Sequence, residues 1–196
     1  MTHPLFALGA VVAVTLFALP ASGAEVGQPA PDFTLKDESG VQRSLGDYRG
    51  KVVVLEWTNP ECPFVQRHYA EKTMQKTLAA YGGKPVVWLV VDSSYFNTPE
   101  KSAAWKKQQA FTAPVLQDPS GTVGHAYAAK TTPEMFVVDA QGVLRYQGAI
   151  DDDPRGRNAS ATNYVRQAVD ALQSGKTVPV TSSPPYGCSV KYKGNS

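Results

Sequence analysis

Two of the densest apolar runs in the chain are Lys51–Trp57 (KVVVLEW) and Val86–Val91 (VVWLVV). Both are β-branched and too short for typical helices, which predicts strands. Neither shows a polar face, so both fit central parallel strands buried on two sides. Gln28–Leu35 (QPAPDFTL) reads as extended. Val41–Ser44 follows the turn Asp37-Glu38-Ser39-Gly40, which predicts an N-terminal hairpin. Pro63–Tyr81 reads as one helix, with Phe64, Tyr69, Met74, Leu78 and Tyr81 approximating its apolar face. Pro63 opens it and Gly82-Gly83 closes it. A second helix opens at Asn97-Thr98-Pro99-Glu100, with Thr98 as N-cap and Pro99 as first helical residue.

Further along, Pro114–Leu116 suggests a short strand and Gly121–Ala129 a short helix. Glu134–Asp139 and Val143–Gln147 predict a hairpin across Ala140-Gln141-Gly142. Ala161–Gln173 is an amphipathic helix ending near Gly175, and a Pro-rich tail runs from Ser182 to Ser196. Strands alternating with helices, then a hairpin and a last helix, predict an α/β fold whose mixed central sheet is covered on both faces.

The apolar content of 42% is enough for a core, and it argues against disorder. Net charge is +2 with no basic run, so the stripe expected of a nucleic-acid binder is missing. A third apolar stretch, Leu5–Leu19, suits the core of an export signal and is short for a membrane span. Ala21-Ser22-Gly23-Ala24 supplies small residues for cleavage after Ala24, although no Lys or Arg precedes Lys36. The expected organisation is an export signal over residues 1–24 and one domain over 25–196. The mature protein is then periplasmic or secreted, with no stable membrane association. An anchor retained in the membrane is the alternative.

An oxidising compartment gives two cysteines meaning. Cys62 and Cys188 can form one disulfide. With His68 and His125 they show none of the usual zinc spacing, and no metal is expected. Cys62 follows the first central strand and precedes the Pro-initiated helix. A thiol there meets free backbone amides and the positive end of the helix dipole. Both favour the thiolate, which is the reactive form. Thr131-Thr132-Pro133-Glu134 stands directly before the strand MFVVD, a position where Pro avoids donating to a sheet.

These residues resemble the thioredoxin-like redoxin group of the alkyl hydroperoxide reductase/thiol-specific antioxidant (peroxiredoxin-like) superfamily. The resemblance is carried by Ala30-Pro31-Asp32-Phe33-Thr34-Leu35, Gly50-Lys51-Val52-Val53-Val54 and Cys62-Pro63-Phe64-Val65. Thr132-Pro133, Phe136-Val137-Val138-Asp139 and the tail segment Gly187-Cys188-Ser189-Val190-Lys191 extend it. It implies a thioredoxin-like fold, with Pro133 cis beside the active cysteine and holding a partner backbone there.

Three departures matter. Val65 replaces the second cysteine of a Cys-x-x-Cys motif. Leu55 and Asn59 stand where the peroxiredoxin Pro-x-x-x-Thr-x-x-Cys motif has Pro and Thr. The peroxiredoxin arginine before the Phe-x-x-Asp strand is absent, and Pro133 occupies that region. The expected activity is therefore thiol–disulfide exchange, with Cys62 as nucleophile and Cys188 as candidate resolving cysteine. A thiol peroxidase working through a Cys62 sulfenic acid is the second reading. A binding module with a purely structural Cys62–Cys188 bond is the third, because a disulfide closing so long a loop stabilises by about 5 kcal/mol. Protein disulfides or peroxides would be substrates and an external thiol the reductant. No dissociable cofactor is implied, because the cysteine pair carries the electrons.

Glu56 interrupts the apolar run and could relay protons, or pair with Arg or Lys at the strand end. His68 lies about 240° around the helix from Cys62, which favours packing or partner contact over a base. Trp57 is expected beneath the Cys62 loop, and Asp151-Asp152-Asp153 as a solvated turn. His125 carries no chemistry. Asn158-Ala159-Ser160 is a glycosylation pattern relevant only in a eukaryotic secretory host.

Overall fold

The computed structural model describes residues 23–194. The segment read as an export signal lies almost entirely outside them. No helix among the described residues is long and apolar enough to cross a membrane.

A hairpin of β1 (Thr34–Lys36) and β2 (Gln42–Ser44) precedes β3 (Val52–Thr58). Helices α1 (Pro63–Ala70) and α2 (Thr73–Ala79) lead to β4 (Val86–Asp92). Then come α3 (Pro99–Gln108), β5 (Val115–Gln117), α4 (Thr122–Ala126) and β6 (Thr131–Thr132). The chain closes with β7 (Glu134–Val138), β8 (Leu144–Gly148), α5 (Tyr164–Gln173) and β9 (Cys188–Ser189). The central sheet has the order β5-β4-β3-β7-β8. β3, β4 and β5 are parallel, whereas β7 runs antiparallel to both β3 and β8. This is the mixed thioredoxin-like sheet that the pattern of apolar runs predicts.

Every residue of β3 is buried, because the sheet carries a core on each face. Val53, Leu55 and Trp57 enter one core with Leu89, Val91, Tyr127 and Phe136. Val52 and Val54 enter the other with Cys62, Tyr69, Trp88 and Val90. Each fully buried aliphatic side chain contributes about 1.5–3 kcal/mol, so β3 is a firm platform for the loop that follows it. Trp57 therefore does not pack beneath the Cys62 loop. Strand alternation sends it to the opposite face, where it meets Tyr127 and Phe136 at ring separations of 5.0 and 5.1 Å.

The single helix expected over Pro63–Tyr81 is two. Phe64, Tyr69 and Met74 are spaced by five residues, and each such step rotates a straight helix about 140° past a full turn. No one face can bury all three. The chain breaks at Lys72, whose φ is 59°, and α2 starts in a new direction. Tyr69 and Met74 are then buried in the same core. The last helix starts later than the expected Ala161. Asn163 caps it, its side-chain oxygen accepting the Arg166 amide at 2.8 Å.

The tail is bound along much of its length rather than trailing. Gln147 donates to the Thr181 carbonyl at 3.1 Å and Ser183 to the Gln147 carbonyl at 3.2 Å. β9 pairs antiparallel with β6, placing Thr132 opposite Cys188 and Thr131 opposite Ser189. Tyr192 then donates to the Ala129 carbonyl at 2.8 Å and stacks on His125 at 4.1 Å.

Candidate active site

Cys62 sits at the junction of β3 and α1. The Asn59 carbonyl accepts its amide at 2.9 Å, and the Asn59 side chain accepts the Glu61 amide at 2.8 Å. That local turn delivers Cys62 to the N-cap of α1, with Pro63 as first helical residue. Proline there sacrifices no helical hydrogen bond, since the first-turn amides are unpaired anyway. The Cys62 sulfur lies 2.9 Å from the Thr132 carbonyl. The Thr132–Pro133 peptide is cis, as the resemblance implies.

Cys188 reaches the same place from the tail. Both cysteines are free thiols, and the Cys188 thiol and amide face the Cys62 sulfur. Burial raises the Cys62 pKa, but hydrogen bonding with Thr132, the Val65 amide and Cys188 outweighs it, and the net shift is downward. Cys188 moves the other way. Burial, the hydrogen bond to Cys62 and the charge forming on Cys62 push it up to about 11. The pair is therefore electronically unequal: Cys62 gives up its proton first and Cys188 remains the donor.

Close approach of the tail depends on Gly187. Its φ is +147°, and a Cβ there would lie 2.1 Å from the Thr132 carbonyl oxygen. Only glycine lets the strand pass so near the Thr132–Pro133 peptide.

Glu56 is fully buried on the Cys62 face of β3. Burial pushes its carboxyl up to about 7, against hydrogen bonds from Trp88 and Tyr69 that pull it down. Those bonds are 2.9 Å from Trp88 Nε1 and 3.1 Å from the Tyr69 hydroxyl. The alternative of an ion pair with Arg or Lys is not what forms. An apolar strand centre has no room for a charged partner, and the carboxyl is held by neutral donors instead.

His68 is fully buried and packs with Tyr186, consistent with the packing reading. Burial lowers its pKa to about 4 despite the nearby Asp151. The turn Asp151-Asp152-Asp153 is not a solvated cluster: Asp151 and Asp153 are buried and Asp152 is exposed. The Tyr186 hydroxyl donates to Asp151, and the Asn158 amide donates to Asp153 at 2.7 Å. Internal donors hold the two buried carboxylates, which a reading of charge alone could not foresee. Sequence reasoning also overlooked Tyr186 and the pairing of β9 with β6. An aromatic residue amid the turn-forming Pro184-Pro185 and Gly187 is the signal that pointed there.

A thioredoxin-like fold with a cysteine at a helix N-terminus, a cis-proline peptide beside it and a second cysteine facing it defines a redoxin. The chain belongs to the AhpC/TSA family, which it matches over residues 26–147. It is 31% identical over 187 residues to Peroxiredoxin-2 of Cricetulus griseus, covering 84% of this chain and 89% of that one. It is 31% identical over 150 residues to the thiol-disulfide oxidoreductase ResA of Geobacillus thermodenitrificans, covering 72% and 78% respectively. A crystal structure of a hypothetical protein from Sinorhizobium meliloti 1021 superposes with a TM-score of 0.79 at 29% identity. That match covers 89% of this chain and 98% of that one.

Proposed function

We propose that the protein is an exported thiol–disulfide oxidoreductase. Cys62, as thiolate, attacks a disulfide of a partner protein. Cys188 then resolves the mixed disulfide by forming a Cys62–Cys188 bond, which an external thiol reduces. The observation that carries this reading is the placement of Cys188 by β9, its thiol facing the Cys62 sulfur at the N-terminus of α1. The dipole and free amides of α1 favour the anion at Cys62, and the Cys188 thiol is a hydrogen-bond donor to it. Pro133 lies beside this pair, where an extended partner backbone would be held. Glu56, a buried carboxyl near neutrality on the face of β3 that packs the Cys62 core, is the candidate to exchange protons with the site. Residues 1–24 act as the export signal, and residues 25–196 work outside the cytoplasm.

The resemblance to Peroxiredoxin-2 favours a second reading, in which Cys62 reduces a peroxide and its sulfenic acid condenses with Cys188. The site chemistry speaks for disulfide exchange instead. Leu55 is fully buried in the core opposite Cys62, and the Asn59 side chain is used in its own turn. Neither supplies the Pro and Thr of the peroxide motif.

Trapping tests the reading. Cys188→Ser incubated with a disulfide-bearing protein should accumulate a mixed disulfide at Cys62, and the unmodified sequence should not. Peptide mapping that finds no adduct at Cys62 would sink the mechanism. Rapid peroxide consumption with no disulfide exchange would move the assignment to the peroxidase.

A further inference from the structure

Cys188 can act on Cys62 only if the tail holds it there. The four residues before it are Pro184, Pro185, Tyr186 and Gly187. The prolines have no amide hydrogen to donate, and glycine has no side chain. Anchoring just upstream of Cys188 therefore falls on Tyr186. Its hydroxyl donates to Asp151 and lies 3.0 Å from His68 Nε2. Its ring packs 6.0 Å from Phe64 and 5.9 Å from His68, centroid to centroid. Phe64 and His68 belong to α1, the helix that starts at Cys62. Tyr186 thus ties the tail to the same short helix that seats the other sulfur.

We propose that Tyr186 is a positioning residue for the resolving step, fixing the effective concentration of the Cys188 sulfur at Cys62. This rests on the reading of Cys62 and Cys188 as a redox pair. In the step concerned, Cys62 carries a mixed disulfide with a partner sulfur. Cys188 loses its proton and attacks the Cys62 sulfur. The Cys62–Cys188 bond forms and the bond to the partner sulfur breaks. The partner leaves as a thiolate and takes up a proton, so Cys188 is oxidised and the partner sulfur reduced. Freeing Tyr186 removes neither sulfur and makes their encounter rarer.

The same anchor bears on the first attack. Cys62 is only 2% exposed with the tail in place. The Cys188 thiol and amide face the Cys62 sulfur, so loosening the anchor should aid the first attack while it slows the second.

Dithionitrobenzoate separates the two steps, because each releases one coloured thiolate. Attack by Cys62 gives the first, and resolution by Cys188 gives the second. Tyr186→Phe keeps the ring and loses both hydroxyl contacts; Tyr186→Ala loses both kinds of contact. The second release should slow about tenfold in Tyr186→Ala and less in Tyr186→Phe, the loss expected when one point of a short tether is freed. The first release should be unchanged or faster in both. The pair's reduction potential should become less negative by about 30 mV for a tenfold effect. An unchanged second release in both variants overturns the proposal. So does equal slowing of both releases in the conservative Tyr186→Phe, which would mean general loosening of the fold. If the unmodified protein gives one release and no Cys62–Cys188 bond, the redox-pair reading itself fails, and the role of Tyr186 falls with it.

Discussion

The two cysteines meet at one point but sit on very different supports. Cys62 stands between a fully buried central strand and a helix N-terminus, and the adjoining backbone favours its anion. Cys188 sits on a two-residue strand in a tail held by side chains and a few backbone bonds. One pKa is lowered and the other raised to about 11. A fixed sulfur that ionises first is suited to attack. One on a shorter support that keeps its proton is suited to wait. The difference in support, more than the spacing in sequence, divides the roles.

The largest effect should come from removing the fixed sulfur. Cys62→Ser should lose at least about a thousandfold in disulfide exchange, because a neutral hydroxyl replaces a thiolate. Cys188→Ser should keep the first attack and lose turnover. Equal loss of the first step in both variants, measured by stopped-flow thiolate release, would break the division of roles.

Next comes the buried carboxyl of β3. Glu56 holds its proton to about pH 7 when folded, against an ordinary value of 4.5. Between those values the unfolded chain releases a proton that the folded protein keeps. Its contribution to stability is therefore complete below pH 4.5 and falls as pH rises to about 7, by about 3 kcal/mol. His68 runs the opposite way: its folded pKa of about 4 lies below the ordinary 6.5, so its contribution is lost as pH falls through that window. Comparison of Glu56→Gln with the unmodified protein isolates the first term. The stability difference in urea unfolding should drift by about 3 kcal/mol between pH 4.5 and 7. Parallel curves would show that Glu56 does not titrate there.

Gly187→Ala places a Cβ against the Thr132 carbonyl and should cost about 1–3 kcal/mol in seating of the tail. Proteolysis should then cut near residue 187 sooner, while alkylation of Cys62 speeds up. Slower alkylation would mean that the tail does not cover Cys62.

The smallest effect concerns the far end of the Cys62 helix. Lys72 pays for its left-handed conformation, and Lys72→Gly should stabilise by about 0.5 kcal/mol after glycine's own entropy cost. Thermal unfolding measures it. Cys62 reactivity should not change, because its seat depends on the start of α1. A changed Cys62 pKa would tie the seat to the helix break as well.

Much of this was legible in the sequence. The β-branched runs became β3 and β4 because a strand buried on both faces needs continuous apolarity. Thr98 caps α3 as its position before Pro99 implies, accepting the Lys101 amide at 3.4 Å. Pro63 and Cys62 marked the helix start because proline is tolerated there and cysteine gains from it. What stayed hidden depended on long-range partners. Trp57 took the far face because the register with β4 and β7 set the alternation of β3. Asp151 looked solvated until Tyr186, 35 residues on, supplied its donor. The break at Lys72 follows from five-residue spacing, which an apolar count alone does not weigh. β9 has no apolar pattern of its own, since its two residues are held by pairing with Thr131 and Thr132.

The central claim is that Cys62 and Cys188 form an exchangeable couple. Equilibration of the protein in glutathione buffers, with peptide mapping under non-reducing conditions, decides it. A Cys62–Cys188 peptide in the oxidised protein and a reduction potential well above about −300 mV are expected. A linked pair below that value would make the bond a structural staple. Absence of the linked peptide would leave Cys62 dependent on an external thiol and rule out the couple.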